Sequence, residues 1–296
     1  MEESIVTSVF LPLALAFIML GMGLSLRMKD FQNIFLYPKA MLLGLITQLI
    51  LLPVIGYVLV MVFDISGALA VGVMILAACP GGATSNLITH LSRGDIALSI
   101  SLTAVSSFIT ILTIPLIVNF AIVQFGEQGS ITLPVWQTIM QIAGVTLVPV
   151  MIGMYLKKKF PIMAIRADKP VRIASAVFFI IIILGAILKE RALLVDFLIL
   201  MGPLTLVLNI LTLGVGFLLA KIFLLPKNQV ISISIESGIQ NGTLGIMIAS
   251  TLLRNTEMTI PIAIYSLLMF ITASVIIMIA NRKQKPKKVS LDSIAS

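Results

Sequence analysis

Glu236 is the one carboxylate of this 296-residue chain that falls in the middle of a long apolar run, whereas Asp64, Asp95, Asp196 and Glu257 fall near the ends of such runs. An acid at that depth is expensive in hydrocarbon, about 2.5–3.5 kcal/mol for Asp at a helix centre on insertion scales. No Lys, Arg or His is expected at the same depth, so protonation or a bound cation remains to neutralise it. Gln240 follows four residues later with Ser237 between, and Gly238 and Gly242 let the chain unwind and turn carbonyls inward. Oxygen donors of this kind suit hard cations, whereas soft metals favour thiolate or imidazole.

A second polar group, Thr84-Ser85-Asn86, follows Cys79-Pro80-Gly81-Gly82 inside another apolar run. The next run carries Ser99, Thr103, Ser106, Thr110 and Thr113 at spacings that share one face of an α-helix. Ser99 and Thr103 come level with the glycine break and are ligand candidates. The more distal Ser106, Thr110 and Thr113 read as hydroxyls bonding across helices or back to their own carbonyls. Gln48, alone in mid-run, reads by itself as interhelical glue. His90 reads as a surface residue, Trp136 as an interfacial anchor, and Cys79, the single cysteine, as packing filler with no disulfide partner.

The elements that must position these groups are set by composition. The chain is 59% hydrophobic and 11% charged, against about 25% charged in soluble domains. Its mean hydropathy is +1.15. Apolar runs of bilayer length recur throughout, and without strict apolar–polar alternation they exclude a β-barrel and imply helices. Spans are expected near 6–26, 40–63, 67–91, 95–125, 135–156, 171–189, 194–222, 230–253 and 257–281, about nine transmembrane helices in an all-α polytopic membrane protein. With the amino terminus outside, all of the twenty basic residues except Lys189, Arg191 and Arg254 fall on the cytoplasmic side, and the carboxyl terminus with its basic tail 282–296 is cytoplasmic. This placement explains the net charge of +8 by a membrane address, with no nucleic-acid partner. The stretch Lys157–Arg172 reads as a basic connector dividing one membrane domain into two halves. Each half has an interrupted span next to last, at Cys79–Gly82 and at Glu236–Gly242. Breaks at matching places in two halves are the sequence pointer to a transporter binding site.

The motifs Cys79-Pro80-Gly81-Gly82 with Ser85-Asn86, the run Glu236 to Asn241, and Gly21-Met22-Gly23-Leu24 resemble those of the bile acid:sodium symporter family, and the likeness extends through essentially the whole chain. The resemblance implies inverted repeats split 4+5 by loss of the first helix, two crossing discontinuous helices, a panel of helices near 6–26, 135–156 and 171–189, and a core near 40–125 and 194–281. It implies two Na+ ions: one held by Ser85, Asn86, Ser99, Thr103 and Glu236, the other by Gln48, Glu236, Gln240 and the carbonyls of Ser237 and Ile239. An anionic substrate would meet Ala83 and Thr84, at the half-helix start after Gly82, and Asn241, because free N–H groups and a positive dipole end lie there.

The function expected is sodium-coupled symport of a small organic anion by alternating access, in the inner (plasma) membrane, with no obligatory protein partner. The alternative is a proton-coupled or exporting transporter of the same architecture, as arsenite permeases of a related fold are. An enzyme is not expected: there is no His-Glu-x-x-His pair, no second mid-span acid for an aspartyl dyad, and no serine with a histidine in reach.

Overall fold

The computed structural model describes residues 9–126, 133–189 and 194–282. The start of the first expected span, Arg191 and the tail beyond Arg282 lie outside the described residues. Named elements of the described chain are helical: α1 (Leu11–Ser25), α2 (Met28–Leu36), α3 (Pro38–Ile46), α4 (Leu52–Val62), α5 (Gly67–Ala78), α6 (Ala83–Leu91), α7 (Ile96–Phe125), α8 (Val135–Lys159), α9 (Pro161–Lys189), α10 (Leu194–Ile222), α11 (Lys227–Gly238), α12 (Gly242–Met247) and α13 (Thr259–Arg282). A π-helical turn, Thr47–Leu51, joins α3 to α4, and another, Ile248–Leu252, extends α12.

Among the described residues, five stretches are long and apolar enough to cross a bilayer: Pro38–Val62, Ile96–Phe125, Val135–Lys159, Val195–Ile222 and Thr259–Arg282. Shorter apolar helices accompany them, including α1 and α5. The chain is therefore an all-helical polytopic membrane protein.

Two segments differ from the sequence reading. The expected connector Lys157–Arg172 is almost entirely helical, because α8 runs to Lys159 and α9 restarts at Pro161, leaving only Phe160 between them. Proline at the first helical position costs no hydrogen bond and pre-sets φ, so it starts a helix where the sequence suggested an irregular link. The stretch after Arg27, expected as a loop, forms α2. The Arg27 N–H donates to the Asp30 carboxylate (2.6 Å), which ties down the first turn. Asn33 donates to the Ser101 hydroxyl (3.0 Å) and anchors α2 on α7.

The helices pack as neighbours across the whole described chain, with α8 also touching α7 and α9 also touching α13. Helix α1 lies against α8 and α9; α5 lies against α4, α7 and α13, and α10 against α11 and α13. The α1–α8 contact is backbone to backbone. A Cβ on Gly23 would strike the Val150 carbonyl, and one on Gly153 would come 2.5 Å from the Leu20 carbonyl. Small residues at such a seam let membrane helices approach closely, which gives Gly23 of the Gly-Met-Gly-Leu motif its structural reason.

Helices α5 and α11 each contain twelve residues. Each is preceded by a residue with positive φ, Asp64 (52°) and Leu224 (57°). Asp64 precedes Pro80 by the same interval as Leu224 precedes Gln240. The helical pieces after the two breaks also end at positive-φ residues, Arg93 (59°) and Arg254 (54°).

Candidate functional site

The two interruptions meet. Gly81 and Gln240 form an antiparallel bridge, and the Asn241 N–H donates to the Pro80 carbonyl at 2.9 Å. Unwound backbone in an apolar setting needs such partners, and each break supplies them to the other. Gly81 also admits the site sterically: a Cβ there would sit 2.5 Å from Glu236 Oε2 and 3.1 Å from Gln48 Nε2.

Glu236 closes α11 beside this junction and is 1% exposed. Ser85 of α6 donates to its Oε1 at 2.7 Å, Thr103 of α7 donates to its Oε2 at 2.9 Å, and Ser99 of α7 also reaches Oε1. Asn86 joins through the same hydroxyls, its Oδ1 lying 2.8 Å from Ser99 Oγ and 3.4 Å from Thr103 Oγ1. The structure thus brings Ser85, Asn86, Ser99, Thr103 and Glu236 into one cluster.

The cluster holds more acceptors than hydrogens. The single hydroxyl hydrogen of Ser85 faces both Glu236 Oε1 and the Gly82 carbonyl, each at 2.7 Å. That of Ser99 faces both Asn86 Oδ1 and Glu236 Oε1. A hydroxyl supplies one donor, so some of these oxygens present lone pairs to one another. A proton on Glu236 or a bound cation would relieve such an arrangement in a buried setting, and the converging atoms are all oxygen, which suits a hard cation.

The second expected group gathers at the same bridge, where Gly81 lies beside both Gln48 and Glu236. Gln48, brought in by the π turn, donates to the Glu236 carbonyl at 3.3 Å, and Gln240 donates to the Ser237 carbonyl at 2.9 Å. Both glutamines are 1% exposed, and both Oε1 atoms are buried with no hydrogen-bond partner. Two orphaned buried amide oxygens again fit a cation. The Ser237 hydroxyl lies 2.8 Å from Thr47 Oγ1 and donates to the Ile233 carbonyl, while Ile239 is buried in extended backbone at the break.

Ala83, Thr84 and Asn241 line one cavity of about 90 Å³, together with Ile18 and Met19 of α1 and Ser175 of α9. A second cavity of about 260 Å³ shares Ile18, Ala83, Leu87 and Ser175 with it and reaches Asn86 and His90. Asn241 has a further duty: its Oδ1 caps α12, accepting from the Leu244 N–H (3.1 Å) and the Thr243 hydroxyl (2.7 Å). Its amide donors are what it can offer to the cavity.

Several other expectations find a place. Ser106 donates to the Thr103 carbonyl and Thr110 to the Ser107 carbonyl, the local bonding expected of distal hydroxyls, but the Thr113 hydroxyl departs from it, being buried with no hydrogen-bond partner. His90 is exposed, Trp136 is 72% exposed on the first turn of α8, and Cys79 is a buried free thiol.

The sequence reading missed the support behind the second break. The Gly238 carbonyl accepts from Tyr265 OH (2.7 Å) and from Asn209 Nδ2 (2.7 Å), and Thr272 donates to Asn209 Oδ1 (2.6 Å). A signal existed in Asn209, an amide in mid-run, but nothing local links it to Tyr265. Thr47 was missed because its role comes only from contact with Ser237.

An all-helical membrane chain in which two apolar helices break against each other at a buried, oxygen-lined acid beside a cavity has the build of a transmembrane transporter. The sequence comparisons carry this further. The model of the Sodium Bile acid symporter family matches residues 12–197. The human ileal sodium/bile acid cotransporter is 32% identical over 240 residues, covering 80% of this chain and 68% of that one. The uncharacterized sodium-dependent transporter YocS of Bacillus subtilis (strain 168) is 26% identical over 288 residues, covering 97% and 87%. A sodium-dependent organic anion transporter of Bos taurus is 28% identical over 242 residues, covering 80% and 62%. The chain belongs to the sodium bile acid symporter family, a family of transporters and not of enzymes.

Proposed function

We propose that the chain is a sodium-coupled symporter of a small organic anion working by alternating access. The observation that carries this reading is the excess of buried oxygen acceptors over hydrogens around Glu236, with three hydroxyls as its side-chain partners. One Na+ is held by Ser85, Asn86, Ser99, Thr103 and Glu236. A second is held by Gln48, Glu236, Gln240 and the carbonyls of Ser237 and Ile239. The orphaned Oε1 atoms of Gln48 and Gln240 support the second site. The names of the relatives, sodium-dependent and in part specific for organic anions, support both the ion and the class of substrate.

The substrate is received by Ala83, Thr84 and Asn241. The two cavities between α1, α6 and α9 support this position. The chain crosses the inner (plasma) membrane nine times with its amino terminus outside and its carboxyl terminus in the cytoplasm. The close seams of α1 with α8 and α9, and of α10 with α11 and α13, support a panel and a core. The equal lengths of α5 and α11 and the matched positive-φ residues around the two breaks support inverted repeats. Two Na+ with one monovalent anion carry one net charge inward, which gains about 2.3 kcal/mol per 100 mV of membrane potential.

Concentrative uptake by proteoliposomes under an inward sodium gradient tests the reading across a panel of organic anions. Uptake that persists with choline in place of sodium and follows a proton gradient instead would assign the coupling to protons.

A further inference from the structure

A large cavity lies away from the two breaks and shares no lining residue with the cavities beside them. It measures about 1020 Å³, at the upper end of the roughly 300–1,000 Å³ usual for small-molecule sites. It forms where α1 gives way to α2 and α8 gives way to α9, so it lies at the carboxyl-terminal end of the spanning helix α8. Arg27, Lys157 and Lys158 border it, and Phe31, Phe108, Met151 and Met154 form much of its interior.

Each part of this lining has a fixed place. Phe31 and Phe108 meet edge to face at 5.7 Å and bind α2 to α7. Lys157 donates to the Ser25 carbonyl at the end of α1 (2.5 Å), which holds its charge at the rim. Arg27 and Lys158 are exposed. The carboxylate next to this rim is Asp30, whose Oδ2 is engaged by the Arg27 N–H. Methionines give the apolar wall an adaptable shape.

We infer that this cavity is a binding site for an anionic phospholipid, with the phosphate at Arg27 and Lys158 and an acyl chain along Phe31, Phe108, Met151 and Met154. Charge complementarity and position argue for a lipid over a soluble anion. Three cationic side chains stand where α1 and α8 end, and the apolar lining adjoins them as a lipid's chain adjoins its headgroup. Helix α2 beside the mouth exposes Met28, Phe35 and Leu36, a surface suited to lying in the membrane interface.

The full chain in nanodiscs of phosphatidylcholine, with and without phosphatidylglycerol, tests the site by native mass spectrometry and thermal denaturation. Wild type is expected to retain phosphatidylglycerol in preference to phosphatidylcholine and to melt higher in its presence. Arg27→Gln with Lys158→Gln is expected to weaken that preference by about fivefold per residue, the scale of one basic side chain at an anionic surface. Lys221→Gln with Lys227→Gln, at basic residues that do not line the cavity, is expected to leave it intact. Met151→Trp fills the apolar part at a 60% exposed position without changing charge and is expected to lower retention of either lipid. Equal losses in both charge variants would reduce the effect to bulk surface charge and overturn the proposal. Stabilisation by glycerol phosphate or a soluble bile acid as strong as that by phosphatidylglycerol would overturn it in favour of a soluble anion.

Discussion

The hydroxyl of Tyr265 donates to the carbonyl of Gly238 at 2.7 Å, so a residue of α13 holds the last turn of α11 just before it unwinds. Asn209 shares that carbonyl and touches the Tyr265 oxygen at 3.1 Å. The junction that presents Glu236 and Gln240 is thus fixed from behind by two other helices.

Tyr265→Phe keeps the ring and removes one of the two donors. Stability is expected to fall by about 1 kcal/mol, the usual net worth of a hydrogen bond, with Asn209 retaining the carbonyl. Sodium is expected to become less effective at raising the melting temperature, and Asn209→Ala in addition should remove most of the remaining response. A sodium titration of thermal stability, with potassium as control, reads both effects.

Glu236→Gln preserves shape and removes the charge shared by both proposed ion sites. Wild type at sodium a hundredfold above its dissociation constant gains about 2.7 kcal/mol by mass action, and the variant is expected to gain none. A variant that kept the full sodium shift would place the ions elsewhere.

Ser85→Ala and Ser106→Ala separate two classes of buried hydroxyl. Ser85 points at the carboxylate, and its loss is expected to cost about 1.5–3 kcal/mol, at least about tenfold in sodium affinity. Ser106 returns its hydrogen to its own helix at the Thr103 carbonyl, so sodium affinity is expected to stay at the wild-type value.

Gly81→Ala and Gly144→Ala form a second matched pair. At Gly81 the added methyl group meets Glu236 and Gln48, and the sodium response is expected to vanish. At Gly144 nothing lies within 4 Å, and removing a helical glycine is expected to stabilise by about 0.5–1 kcal/mol. Melting curves in sodium and in potassium distinguish the two outcomes.

Ala83→Leu fills the small cavity beside the breaks while leaving the oxygen cluster alone. Uptake is expected to fall to background with the sodium-dependent melting shift retained. Loss of both together would mean that the cavity and the cluster cannot be separated.

Much of this site is legible in the sequence because membrane solvent makes polar residues conspicuous. Glu236 stands out as a mid-run acid, and Cys79–Gly82 stands out as a run of helix breakers, so the residues around Glu236 can be named without coordinates. What stays hidden is of two kinds. Helix α2 is concealed because Lys29, Asp30, Gln32 and Asn33 read as a polar loop, although Asn33 is buried against Ser101. The grip of Tyr265 on Gly238, the cap by Asn241 and the contact of Thr47 with Ser237 depend on which helices become neighbours. No local pattern in those residues announces it.

The π turn at Thr47–Leu51 makes the register of α3 and α4 a functional quantity. It allows two consecutive residues, Thr47 and Gln48, to be buried together, one beside Ser237 and the other beside Glu236. Deleting one residue from the turn would heal the helix yet rotate everything on one side of it by about 100°, swinging the amide toward lipid. Length along this stretch is consequently as constrained as identity, and an indel there would be more damaging than many substitutions.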